Sequence, residues 1–276
     1  MFNRRSGPTS KRLVTIYATG LSQRFDEVVG EEPLEIHISQ GGYVSPFSVT
    51  MRTPGNDFEL TTGLLYSEGF INNRKDIAEL RYSCNGPEGQ DYNVMIAHLR
   101  EVRRELENSK RATFMSSACG VCGKSSLSDL LNLGDKIEAD YCVDPLFLLS
   151  LVDVMRSEQR YFNATGGVHA AGVFDLTGRK LVVREDVGRH NAVDKAVGYL
   201  LLNDVLSKAS VMVVSGRAGF EILQKALVAQ IAVVASVSAP TSLAIDLATE
   251  MGITLVGFLR DGSFNIYSHP SRISTK

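Results

Sequence analysis

Cysteine is scarce in this chain, and the scarcity excludes one class of protein. Only four cysteines occur among 276 residues, at Cys84, Cys119, Cys122 and Cys142. Thiols so few and so unevenly spaced do not make the dense disulfide framework of a small secreted domain. We therefore expect a protein of the reducing cytoplasm.

Excess charge and long apolar runs are lacking too. The formal net charge of −2 gives no general attraction to nucleic acid or to anionic lipid. The most apolar run, residues 231–239, is too short to span a bilayer. The N-terminus is basic and polar with no apolar segment after it, so residues 1–12 are expected to be a disordered tail and not a signal peptide. We accordingly expect neither a nucleic acid nor a membrane as partner.

The first part of the chain has the pattern of strands joined by short connections. Apolar residues make up 44% of the sequence, enough for a sizeable core. The predicted strands cover residues 13–18, 33–39, 43–52 and 91–99, and the predicted helices cover residues 58–70 and 100–110. Gly41-Gly42 predicts the turn of a hairpin. These features indicate a smaller mixed N-terminal lobe over residues 13–114.

The second half alternates strand and helix. A helix is predicted to begin at Asp144-Pro145, an N-cap followed by proline. Further helices are predicted at 190–202, 217–230 and 240–251, and strands at 168–174, 180–184, 211–215, 231–236, 253–259 and 264–267. This alternation predicts an α/β domain over residues 144–276, with a largely parallel sheet covered by helices on its faces.

The connecting segment, residues 115–143, carries the motif Cys119-Gly-Val-Cys122. Such a pair serves as half a metal site, as a disulfide couple, or as a nucleophile with a companion thiol, and the spacing does not choose among them. Lys124 and a predicted helix start at Ser125-Ser126 favour thiolate over thiol. We therefore take Cys119 and Cys122 as the catalytic candidates, on a flexible loop between the lobes.

Two readings of the thiols fit poorly. A structural zinc site needs a second pair of ligands, whereas Cys84 and Cys142 stand alone, so no metal site is predicted. A zinc deaminase needs His-x-Glu, but Ala171 stands two residues after His169. A thioredoxin-type couple fits the spacing better, although no strong strand pattern leads into Cys119.

Small and basic residues follow three predicted parallel strands. They are Ser215-Gly216-Arg217, residues 236–241, and Phe258-Leu259-Arg260-Asp261-Gly262-Ser263. Ligands collect at the carboxyl ends of such strands, and helix N-termini with arginine suit phosphates. Glycine, serine and proline are also what strand-to-helix turns require. Three such loops favour a nucleotide or a phosphorylated cofactor.

Residues 184–195 form the densest polar cluster of the sequence. They read Arg-Glu-Asp-Val-Gly-Arg-His190-Asn-Ala-Val-Asp-Lys. This cluster either caps the following helix and pairs its own charges or offers donors and acceptors to a polar ring system, and the residues do not decide between the two. His169, at a predicted strand start, is likewise either a buried, hydrogen-bonded histidine or a ligand contact.

Seven motifs in order resemble a known family. They are Glu31-Glu-Pro-Leu, Thr53-Pro-Gly-Asn-Asp-Phe-Glu-Leu60, Cys119-Gly-Val-Cys-Gly, Gly167-Val-His-Ala170, the run 184–195, Ser215-Gly-Arg-Ala-Gly-Phe-Glu221 and Leu255-Val-Gly-Phe258. The ordered set is similar to the formate dehydrogenase accessory sulfurtransferases, FdhD. The resemblance runs from about residue 31 to His269-Pro270. Gly216 stands where some relatives carry serine.

The resemblance implies a sulfur carrier required for formate dehydrogenase activity. It implies that Cys119 takes persulfide sulfur from a cysteine desulfurase, with Cys122 as companion, and passes it to the molybdenum cofactor in its bis(molybdopterin guanine dinucleotide) form. The cofactor would bind at Phe258–Ser263, with GDP as an analogue, before insertion into the formate dehydrogenase catalytic subunit. It also implies a homodimer and a C-terminal layered sheet similar to that of cytidine deaminases, without their zinc.

Two other functions compete with this expectation. One is a cytosolic thiol-disulfide oxidoreductase that uses the same thiols. The other is a nucleotide-binding chaperone of the dehydrogenase, without sulfur transfer. For the functions that include nucleotide binding, the remaining cofactor-binding candidates are Ser215, Arg217, His190 and His169.

Overall fold

A computed structural model describes residues 7–86, 89–100 and 134–274. The strands are β1 (Thr9–Tyr17), β2 (Leu21–Val29), β3 (Glu32–Gln40), β4 (Tyr43–Arg52), β5 (Ile77–Gly86), β6 (Gly89–Leu99), β7 (His169–Phe174), β8 (Lys180–Asp186), β9 (Val211–Val214), β10 (Val233–Ser236), β11 (Thr254–Arg260) and β12 (Ser263–Ile266). The helices are α1 (Asp57–Ser67), α2 (Pro145–Ser157), α3 (Arg160–Thr165), α4 (Arg189–Leu202), α5 (Phe220–Val228) and α6 (Ser242–Met251). The chain is a mixed α/β protein, as the sequence predicts.

The N-terminal lobe contains a four-stranded sheet in the order β4-β3-β6-β5. β3 and β4 form the predicted antiparallel hairpin, and both glycines of its turn, Gly41 and Gly42, have positive φ angles. β6 pairs in parallel with β3. Alternate residues of β3, Leu34, Ile36 and Ile38, are fully buried against α1. The period-2 pattern thus marks the face that packs on the helix.

Two strands of this lobe are not predicted by the sequence pattern, and one expectation is wrong. β1 begins at Thr9 and pairs with β2, so residues 9–12 are not part of a disordered tail. β2 is mostly polar and exposed, so a pattern of alternating apolar residues does not predict it. β5, the other unpredicted strand, is ordered by antiparallel pairing with β6. Strand pairing, which the local pattern does not encode, orders these segments.

The C-terminal lobe contains a six-stranded sheet in the order β12-β11-β10-β9-β7-β8. β9, β10 and β11 are parallel, whereas β12, β7 and β8 join by antiparallel pairing. The prediction of a largely parallel sheet is therefore wrong at both sides of the sheet. β7–β8 and β11–β12 are hairpins, and a short turn can connect only antiparallel neighbours. β7 also pairs antiparallel with β9, although a strand and a helix separate the two in the chain.

Helices cover both faces of this sheet. Helices α4, α5 and α6 enclose one apolar cluster, and α2 covers the opposite face through Leu148, Leu151 and Met155. The carboxylate of Asp144 accepts a hydrogen bond from the N–H of Phe147 at 2.9 Å, which confirms the predicted N-cap of α2. In the described part of the chain, no helix is both long and apolar enough to cross a membrane.

The two lobes meet where α1 crosses α4. A Cβ added at Gly63 of α1 would lie 1.9 Å from the carbonyl oxygen of Asp194, and one added at Gly198 of α4 would lie 1.9 Å from that of Glu59. Only glycine permits backbones to approach this closely. Leu201 of α4 also packs in the apolar cluster of the N-terminal lobe. The crossing therefore fixes the N-terminal sheet against the C-terminal domain.

Candidate functional site at the carboxyl edge of the larger sheet

The catalytic candidates Cys119 and Cys122 lie outside the described residues, as does nearly all of the predicted helix over 100–110. The other two thiols are described. Cys84 on β5 and Cys142 before α2 are both exposed and form no disulfide. The geometry of the site is therefore that of the ligand-binding candidates.

Strand direction brings the predicted ligand residues to one edge of the sheet. The parallel strands β9, β10 and β11 end there. β7 runs antiparallel to β9, so its first residue, His169, lies at the same edge. His169 pairs in turn with Asp186, the last residue of β8. This carboxyl edge thus includes residues from five strands, two of them added by the antiparallel pairing.

Two serine hydroxyl groups form hydrogen bonds that connect the loops and strands of this edge. The hydroxyl of Ser215 accepts a hydrogen bond from the backbone N–H of Ala170 at 2.9 Å. The hydroxyl of Ser236 is fully buried and donates to the carbonyl oxygen of Gly216 at 2.7 Å. Both serines therefore support the loop geometry.

Gly216 lies where the histidine and an arginine come closest to the β9 loop. A Cβ at this position would be 3.2 Å from Nδ1 of His169 and 3.5 Å from Cβ of Arg189. A side chain here would crowd the imidazole. The glycine thus leaves room beside His169. Arg189, predicted from the sequence only as part of a polar cluster, lies next to the candidate site.

His169 lies in a positively charged environment. Burial lowers the pKa of its imidazole, the charges of Arg189 and Arg217 lower it further, and Asp186 acts in the opposite direction. These effects together favour the neutral form of the ring. The two guanidinium groups and a neutral ring that both donates and accepts form an anion-attracting surface.

His190 has a different environment. Its side chain is largely buried, and its Nε2 lies 3.0 Å from a carboxylate oxygen of Glu221 on α5. This contact holds the ring in one orientation and joins α4 to α5. Glu221 is not among the candidates predicted from the sequence, although it ends one of the motifs that carry the family resemblance.

Several charged residues of the polar cluster over residues 184–195 make structural contacts. Glu185 accepts from the N–H groups of Tyr161 and Phe162 and so caps α3. Arg184 pairs with Glu59 of α1 at 2.5 and 2.8 Å. Of the two readings that the sequence leaves open, the one in which the charges pair internally holds for these residues.

Asp186 is the centre of a buried connection between the lobes. Its carboxylate lies 2.7 Å from Nζ of Lys195 and accepts from the N–H of Thr53 at 3.1 Å and of Gly188 at 2.8 Å. Lys195 also donates to the carbonyl oxygen of Thr53 at 2.8 Å. The loop that precedes Arg189 is therefore held by the end of a strand of the N-terminal lobe.

The predicted cofactor segment, residues 258–263, lies at the end of β11. Phe258 has a φ of 54° inside the strand, at a break in the register with β12. An aromatic residue in this left-handed conformation is strained, and such strain is concentrated at functional sites. The N–H of Phe258 donates to the carbonyl oxygen of Ser238 at 3.0 Å, which joins this segment to the β10 loop.

Some residues of this segment are exposed to solvent, and one is buried in the core. Arg260, Asp261, Gly262 and Ser263 are exposed, and the guanidinium of Arg260 lies 5.7 Å from the ring centre of Phe258. Leu259, in contrast, is fully buried in the core cluster beneath α2. Any contact of Leu259 with a ligand would have to be made through its backbone.

Comparison with known proteins identifies relatives of this chain. Residues 29–274 match the model of the FdhD/NarQ family. The sulfur carrier protein FdhD of Mycolicibacterium paratuberculosis is 46% identical over 96% of this chain and 98% of the relative, and that of Thermoplasma volcanium is 40% identical over 97% of both.

A solved structure has the same fold. It is from Desulfotalea psychrophila, described as a putative formate dehydrogenase accessory protein, and matches with a TM-score of 0.74 and 23% identity over 96% of this chain and 99% of that one. The family match covers most of the sequence, and the relatives align over nearly their full lengths. The chain therefore belongs to the FdhD/NarQ family.

Proposed function

We propose that this protein is a sulfur carrier that serves formate dehydrogenase in the cytoplasm. The proposal rests on membership of the FdhD/NarQ family, whose relatives bear the name sulfur carrier protein FdhD. The observation that supports it from the structure is the carboxyl edge, where Arg189 and Arg217 lie beside His169. Such an edge attracts phosphate groups.

The chemistry begins with a thiolate of the Cys119-Gly-Val-Cys122 motif. The Cys119 thiolate attacks the outer sulfur of a persulfide on a cysteine desulfurase, forms a new S–S bond, and releases the desulfurase cysteine as thiolate. The outer sulfur stays on Cys119 until the acceptor is bound; attack of the Cys122 thiolate on the inner sulfur then transfers it as sulfide and leaves a Cys119–Cys122 disulfide, which cellular thiols reduce.

The acceptor is a guanylated molybdenum cofactor, here a substrate. Its bis(molybdopterin guanine dinucleotide) form carries pyrophosphates that suit Arg217 and guanines that suit the exposed segment of Phe258 and Arg260. GDP is the matching analogue. The sulfurated cofactor then passes to the formate dehydrogenase catalytic subunit. We also propose that the protein works as a homodimer and that its C-terminal lobe shares the layering of cytidine deaminases.

Mass spectrometry tests the thiol chemistry directly. After incubation with a cysteine desulfurase and L-cysteine, we expect one added sulfur atom on the tryptic peptide of residues 112–124, which contains Cys119 and Cys122. Cys119→Ala should abolish the addition and leave GDP binding unchanged, whereas Cys142→Ala, at an exposed thiol, should change neither.

Two outcomes would favour the rival functions. If Cys119→Ala still supports formate dehydrogenase activity, the protein is a nucleotide-binding chaperone whose thiols are incidental. If the wild type gains no sulfur but catalyses thiol-disulfide exchange with a defined reduction potential, it is an oxidoreductase.

A further inference from the structure

A cavity of about 350 Å³ lies in the N-terminal lobe, lined by residues other than those of the carboxyl edge. Its walls include Glu32, Arg52, Asp57, Tyr82 and Tyr92, and Gly7 lies among the lining residues where the described chain begins. The volume is that of a site for a small molecule or a single long side chain. The proposed function uses none of these residues.

Arg52 and Asp57 form a bidentate ion pair in the wall of the cavity. Nε and Nη2 of Arg52 donate to the two carboxylate oxygens of Asp57 at 3.0 and 3.1 Å, and the hydroxyl of Tyr82 donates to the same carboxylate at 2.9 Å. Nη2 also donates to the carbonyl oxygen of Tyr92 at 3.2 Å. Both side chains are almost fully buried. This bidentate pair is electrically neutral and has little capacity left for a ligand.

Glu32 is the charged residue of the cavity wall whose carboxylate can still accept hydrogen bonds from a ligand. Its side chain is only 14% exposed, and its carboxylate reaches Arg52 at 3.7 Å, beyond hydrogen-bond distance. Within the described part of the chain, its carboxylate oxygens accept no hydrogen bond. Arg52 is shared between the carboxylates of Asp57 and Glu32, so the three charged groups of the wall sum to one negative charge.

The aromatic side of the cavity suits the same kind of ligand. The rings of Tyr82 and Tyr92 are 5.2 Å apart at 63°, and Phe58 lies 5.5 Å from Tyr82. The faces of such rings attract cations, guanidinium most often among side-chain groups. A carboxylate beside tyrosine rings therefore favours an organic cation over an anion or a neutral ligand.

We propose that this cavity binds an organic cation, a guanidinium or primary ammonium group on an aliphatic stem, with Glu32 as its counter-ion. The cation has two sources: a free or partner-borne group, or this chain's own Arg4 and Arg5, which precede Gly7 in the sequence. The chemistry of recognition is the same in both.

Calorimetric titration of the full chain with N-acetyl-arginine amide tests the proposal, and N-acetyl-citrulline amide is the uncharged control of equal shape. We expect saturable binding of the arginine compound at least about tenfold tighter than that of the citrulline compound, since a charge-assisted hydrogen bond is lost in the latter. Glu32→Gln should weaken the binding to the same degree. Glu31→Gln, at the neighbouring exposed carboxylate, should leave it unchanged.

The variant Arg4→Ser/Arg5→Ser distinguishes the sources. Equal binding to this variant and to the wild type indicates a free or partner-borne cation, and binding that is tighter in the variant indicates that the chain's own arginines compete. The proposal is overturned if neither protein binds the arginine compound, if the citrulline compound binds equally well, or if Glu32→Gln and Glu31→Gln behave alike. Thermal unfolding of each variant verifies that it is folded.

Discussion

Lys225 and Asp194 form an ion pair inside the protein, with Nζ 2.7 Å from a carboxylate oxygen and both side chains buried. Ser67 donates a further hydrogen bond to the carboxylate of Asp194 at 3.1 Å. Burial raises the pKa of Asp194, against the influence of Lys225. Burial alone would lower the pKa of Lys225, but the charges of Asp194 and Glu68 raise it, so the ammonium group is retained.

We expect Lys225→Met to lower the free energy of unfolding by about 3–5 kcal/mol, because it leaves a buried carboxylate without its cation. Chemical denaturation measures the effect. Lys225→Met/Asp194→Leu should recover much of the loss, and Lys208→Met, at an exposed lysine, should change the stability little. Equal losses in the single and double variants would show that the charge pair is not the cause.

The pKa of His169 depends on the charges around it at the carboxyl edge and can be used to measure their effect. We expect its pKa, measured by NMR titration of the imidazole, to lie below the ordinary value of about 6.5. Arg189→Gln should raise the pKa by removing a positive charge, whereas Arg179→Gln, at the opposite end of β7, should not. An unchanged value in Arg189→Gln would contradict the proposed anion-attracting edge.

The same titration has a consequence for stability. Because the folded-state pKa of His169 is below that of the unfolded chain, the unfolded chain binds the proton first as the pH falls. The contribution of His169 to the free energy of unfolding is therefore present above about pH 6.5, declines below it, and levels off beneath the folded-state pKa.

At the scale of elements, the crossing of α1 and α4 depends on two glycines. Gly63→Ala should destabilise the protein by about 1–3 kcal/mol or more, because its Cβ would overlap a backbone carbonyl that cannot move without shifting α4. Gly198→Ala should act in the same way. Denaturant unfolding measures both.

Gly219→Ala is the matched control for these substitutions. Gly219 has a φ of −88°, and no atom lies within 4 Å of the position that the methyl group of an alanine would occupy, so alanine fits without a clash. We expect its effect on stability to be small. If all three alanine variants were equally stable, the close approach of the two helices would be refuted.

At the scale of the whole molecule, the contacts predict that the lobes unfold together. Thr53, Asp186 and Lys195 form one buried network, and Arg184 binds Glu59 across the same boundary. Hydrogen exchange at increasing denaturant should show the slowest amides of α1 and α4 opening with the same free energy. Opening of α1 at a clearly lower free energy would show that the N-terminal lobe unfolds by itself.

The division of the chain into lobes at residues 114 and 144 stays a prediction. The four-stranded and the six-stranded sheet each pack against an apolar cluster of their own. The structure also shows α1 packed on α4, so the parts share a core where the helices cross. Composition and periodicity cannot reveal such sharing, since they describe one segment at a time.

Local chemistry made part of this protein predictable from the sequence. The Gly41-Gly42 turn, the Asp144 cap of α2 and the alternation of β3 each depend on residues a few positions apart, and each is found in the structure. The family resemblance likewise depends on motifs in order along the chain, and the match over residues 29–274 confirms it.

The tertiary structure alone decided what joins distant residues. Antiparallel pairing placed His169 beside the ends of parallel strands, burial paired Asp186 with Lys195, and folding brought Glu32 and Arg52 to the wall of one cavity. The physical reason is that periodicity reports which face of an element is buried, whereas partner, strand direction and charge environment arise only when elements distant in sequence pack together.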